Sequence, residues 1–68
     1  MDFSYHALQR LVQRKALQSD VIDTINTGVK LKHRADPDNK CTFVNNKTGL
    51  MVVTDIDVTL VITVWWKG

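Results

Sequence analysis

His6, Arg10 and Arg14 recur at i, i+4 and i+8, a spacing that on a helix lines one imidazole and two guanidinium groups along a single stripe. Both residue types suit phosphate chemistry. A neutral imidazole can take the proton of a ribose 2′-hydroxyl, and planar guanidinium forks can hold the oxygens of a phosphate as charge develops on it. Lys15 adds a further cation, and no carboxylate occurs between Asp2 and Asp20 to balance the group. Like charges one turn apart destabilise a helix by about 0.2–0.5 kcal/mol per pair, which an anion from outside would relieve. The bland reading of the same residues is an ordinary solvated helix face, or one paired across space with Asp20 or Asp23.

These side chains need a helix. Ser4 is a good N-cap, and Ala7, Leu8, Leu11 and Val12 then fall on one apolar face of a helix that begins at Tyr5. Ala16 to Gln18 breaks that pattern. A second helix is expected over about 19–27, with Val21, Ile22 and Ile25 facing inward and Asp20 and Asp23 near its positive end. Either Ser19 caps it, or Gln18 does so weakly with a Leu17 to Ile22 hydrophobic staple, the preferred reading. Gly28 follows as an expected left-handed C-cap.

From Val29 the period becomes two. Val29, Leu31 and His33 point one way, and Lys30, Lys32 and Arg34 the other. A loop around Pro37 leads to strands over 40–45, 50–54 and 58–66, joined by turns at 46–49 and 55–57. Short connections make this a four-stranded antiparallel meander. In the last strand Val58, Leu60, Ile62, Val64 and Trp66 suit the helices. Thr59, Val61, Thr63 and Trp65 face away, and with Lys30, Lys32 and Arg34 they would form a hydroxyl, aromatic and cationic surface. One tryptophan belongs to the core and the other could stack on a base. The expected core is Leu8, Leu11, Val12, Val21, Ile22, Ile25, Leu31, Phe43, Val52, Leu60, Ile62 and Val64.

The 68 residues make one domain spanning 1–68, a size that buries only about 60% of the unfolded surface. With 44% hydrophobic and 24% charged residues, composition is that of a folded chain and argues against intrinsic disorder. Cys41 is the sole cysteine, so no internal disulfide can form, which favours a reducing, cytoplasmic location. No signal peptide is read at the N-terminus, and Val58 to Trp66 is far short of the ~20 residues of a membrane helix. His6, His33 and Cys41 have no metal-ligand spacing, and the isolated glycines make no phosphate-cradling loop, so neither metal nor cofactor is expected. Cys41 as a nucleophile with His6 or His33 is the weaker alternative to a buried strand cysteine.

The order helix, helix, four strands, with His6-Ala7-x-x-Arg10, Arg14, Ser19-Asp20-Val21 and Ile62-Thr63-Val64, resembles a family of small uncharacterised prokaryotic and phage domains. That family is similar to the barnase, EndoU, colicin and RelE superfamily of metal-independent ribonuclease toxins. The resemblance implies a RelE-like α+β fold of two N-terminal helices packed on the sheet. It also implies RNA as substrate and a cognate antitoxin or immunity protein as partner. Matched residue by residue, it implies roles in cleavage for His6, Arg10, Arg14 and Thr63. Lys30, Lys32, Arg34 and Trp65, read from their shared strand face, are the residues expected to contact RNA. The sequence departs from the pattern in offering no acidic general base and no second well-placed histidine, since His33 has no counterpart in it. The expected function is a metal-independent endoribonuclease acting through 2′-oxygen attack. The second expectation is a non-catalytic module of the same fold that binds nucleic acid or protein.

Overall fold

A computed structural model describes residues 1–31 and 40–67. Along the chain run β1 (Asp2–Phe3), α1 (Tyr5–Arg14), α2 (Gln18–Thr27), β2 (Val29–Leu31), β3 (Lys40–Val44), β4 (Leu50–Asp55) and β5 (Leu60–Trp66). The class is α+β, but the sheet has five strands and is mixed, in place of the four antiparallel strands expected. Its order is β1-β5-β4-β3-β2, with β1 parallel to β5 and every other neighbour antiparallel. Two residues are too few to show a period, which is why β1 escapes sequence reading. Its pairing continues into the helix cap: Asp2 N donates to Thr59 O at 2.8 Å, and Ser4 N to Val61 O at 2.9 Å. The expected strand positions Lys32, His33 and Arg34, and the loop around Pro37, lie outside the described residues.

Both helices pack on one face of the sheet. Ala7, Leu11, Ala16 and Val21 form a single buried cluster with Cys41, Phe43, Leu50, Val52, Val61 and Val64. α1 lies along β5, whereas α2 rests mainly on β4. Of the expected core, Leu8 and Val12 are 41% and 81% exposed. At ~100° per residue the face centred on Ala7 and Leu11 turns Leu8 and Val12 toward its flank. A helix seated on one strand needs only that narrow stripe.

The parity of β5 changes where a β-bulge intervenes. Val53 pairs with Thr63, but Thr54 pairs with Val61, so Ile62 is the extra residue. Val61 is therefore fully buried, while Leu60 and Ile62, both expected in the core, are half-buried. Leu31 is also half-buried and pairs with Thr42 on the opposite face.

Two helix ends differ from expectation. α2 is capped by Leu17, whose N–H donates to Asp20 Oδ2 at 2.9 Å, so neither Ser19 nor Gln18 is the cap. Gly28 is extended, at φ −78°, and the left-handed C-cap belongs instead to Lys15 of α1, at φ 56°. Glycine is needed at 28 for a different reason: a Cβ there would collide with the carbonyl oxygens of Thr24 and Val44. These are backbone atoms at the junction of helix and sheet. Gly28→Ala is expected to cost about 1–3 kcal/mol, the range of forced overpacking. A lowered urea midpoint with unchanged slope would register it.

Candidate functional site

The stripe of His6, Arg10 and Arg14 lies on a helix, α1, that is held at both ends. Ser4 Oγ accepts from Ala7 N at 3.0 Å and donates to Ile62 O at 3.0 Å, tying the N-cap to the bulge of β5. At the other end the indole Nε1 of Trp66 donates to Arg14 O. The Lys15 N–H closes the helix on the carbonyls of Leu11 and Val12. Ser4→Ala removes the cap and the tie together and should cost about 1–2 kcal/mol in chemical denaturation.

So clamped, α1 carries His6 and Arg14 exposed and Arg10 half-buried between them. The Arg10 Nε–H donates to His6 Nε2 at 3.3 Å, and Nη1 donates to Gln13 Oε1 at 2.8 Å. An accepting Nε2 places the proton of the neutral ring on Nδ1. Neither acceptor is an anion. Its charge is uncompensated by either hydrogen bond, and among the described residues part of its donor fork stays available to an anion.

Thr63 is not part of this group. It pairs with Val53, which pairs with Thr42, which pairs with Leu31, and this row faces away from the helices. Trp65 belongs to the same face through Met51, Val44 and Val29. Lys30 lies on the other face, in register with Phe43, Val52 and Val64. The expected surface combining Lys30 with Thr63 and Trp65 is therefore not formed, and Lys32 and Arg34 fall outside the described residues. The tryptophan that joins the α1 cations is Trp66, 36% exposed. Its parity with Val64 already put it on the helix side. Strand alternation could not show that it reaches the end of α1.

Cys41 is buried in the core, with its Sγ 3.8 Å from Ile56 O. Among the described residues, no group of three His, Cys, Asp or Glu side chains comes together to hold a metal ion. No helix described is long and apolar enough to cross a membrane.

At the end of β4, the Asp55 carboxylate accepts from Thr59 Oγ1 at 2.7 Å, Thr59 N at 2.7 Å and Leu60 N at 2.9 Å. Those bonds, the Thr59 hydroxyl first, hold its pKa below the ordinary 3.8. They also support Val58, a β-branched residue in the left-handed region at φ 57°. A depressed carboxyl contributes stability that is complete above its unfolded-state pKa and is lost as pH falls through the folded one. The acid limb of thermal unfolding below about pH 4 should therefore flatten in Asp55→Asn.

No family model, curated protein or solved structure matches this chain. Fold and site define its class: a two-layer α+β domain that displays a doubly anchored cationic helix.

Proposed function

We propose that this chain is an RNA-binding domain whose contact surface is the outer side of α1, with Arg10, Arg14 and Lys15 meeting phosphates and Trp66 available to a base. One observation carries the reading: Arg10 makes its hydrogen bonds to His6 and Gln13, neither of them an anion, while the helix is fixed to β5 at each end. A guanidinium held this way loses little freedom when an anion arrives. The helix, helix, strand order supports a RelE-like arrangement, and the single cysteine supports a cytoplasmic location, both as parts of the same proposal. Fluorescence anisotropy of a labelled single-stranded RNA across a salt series tests it. Three phosphate contacts should give a slope of log K on log salt near about −2, at about −0.7 per contact. Salt-independent binding, or none, would reject the reading.

A second reading adds catalysis. Its specific support is the imidazole beside the guanidinium, 3.3 Å from Arg10 Nε to His6 Nε2, a proton acceptor next to a phosphate clamp. In that reading the domain is a metal-independent endoribonuclease of toxin type. An antitoxin or immunity protein would restrain it. Its distinguishing result is product formation, which binding alone does not give.

A further inference from the structure

The sheet face turned away from the helices holds a groove of about 400 Å³ lined by Val29, Leu31, Val44, Met51 and Trp65, with Asn46 and Lys67 completing it. That volume and lining match sites for small organic ligands, which are largely apolar with a few polar groups that fix orientation. Its walls are set in advance. Val44 and Met51 are 5% and 8% exposed although no described helix lies over them. Lys67 is held beyond the end of β5 by its N–H, which donates to Gly49 O at 2.6 Å. The polar groups are an ammonium and a carboxamide, and among the described residues that line the groove there is no carboxylate.

We propose that this groove binds a small amphiphilic anion, an apolar body of chain or ring carbon carrying one carboxylate. The body packs against Val29, Leu31 and Trp65, over a floor formed by Val44 and Met51. The carboxylate meets Lys67, and the Asn46 amide can donate to it. The site is separate from the α1 surface and stands whether or not α1 binds RNA.

Decanoate below its micelle concentration is a suitable probe, followed by heteronuclear NMR on the intact chain. The Trp65 indole and Met51 methyl signals should shift saturably, while the Trp66 indole stays still. Val29 is 49% exposed, so Val29→Asp leaves folding intact and sets a negative charge in the groove. It should weaken decanoate at least about tenfold, the order expected for an unpaired charge beside a bound anion. Lys67→Ala should weaken decanoate by about threefold, as suits an exposed ion pair. The same change should leave decan-1-ol unaffected. The proposal fails if no saturable shift occurs, if Val29→Asp binds equally well, or if Lys67→Ala treats acid and alcohol alike. It also fails if sedimentation shows a ligand-free dimer that Val29→Asp dissociates, because the groove would then be an interface between copies.

Discussion

Reversing two charges on α1, with Arg10→Glu and Arg14→Glu combined, is expected to lower RNA affinity by about two to four orders of magnitude. Each charge-assisted hydrogen bond contributes about 1.5–3 kcal/mol, so losing two removes about 3–6 kcal/mol. The salt slope should shrink by about 1.4, two contacts at about 0.7 each. Folding should survive, because the helix is anchored by Ser4 and Trp66, and neither bond uses an arginine side chain. Circular dichroism can verify that. The necessary control carries the same change in net charge elsewhere: Lys30→Glu with Lys40→Glu, both exposed on strands. If the control loses as much affinity as the α1 variant, binding is a general attraction to a positive protein. A large loss in the α1 variant alone assigns the contact to this helix.

How far the sequence predicts this surface depends on the distance over which its patterns act. The stripe His6, Arg10, Arg14 was readable because a helical period is local, and Ser4 announced the start of that helix by its chemistry. The Arg10 bond to His6 spans four residues and follows from the same spacing. What failed to show were features that depend on two elements meeting. The β-bulge opposite Val53 and Thr54 moves one residue of β5 out of register, and alternation within β5 alone cannot reveal it. That slip exchanges Val61 for Ile62 in the core. Lys30 was misplaced for a related reason. Alternating charge says that Lys30 and its neighbours on β2 face opposite sides, but only the pairing with Phe43 decides which side carries the helices. Val29 and Leu31, read as inward, instead line the groove on the far face. β1 joins the sheet through residues nearly sixty positions away, beyond the range of any periodicity.

His6→Ala is expected to reduce RNA cleavage by about 10²- to 10⁴-fold if the catalytic reading holds, the usual loss with a positioned general base. The step is attack of a ribose 2′-oxygen on the adjacent phosphorus, with the P–O5′ bond breaking. The 2′-hydroxyl proton passes to His6 Nε2, and the departing 5′-oxygen takes a proton from water. In the free protein that nitrogen accepts from Arg10, so the guanidinium must turn to the phosphate before the imidazole can act. Approach of the anion supplies the reason to turn, since a charged acceptor holds a guanidinium more strongly than a neutral ring nitrogen. Arg10→Ala should therefore damage the rate about as much as His6→Ala. Thr63→Val should leave it unchanged, because Thr63 faces the other side of the sheet. Products should end in a 2′,3′-cyclic phosphate and a 5′-hydroxyl, and a 2′-deoxy nucleotide at the cleavage point should block reaction. Mass spectrometry of the fragments and single-turnover rates measure each outcome. Cleavage that persists fully in His6→Ala would leave α1 as a binding surface alone.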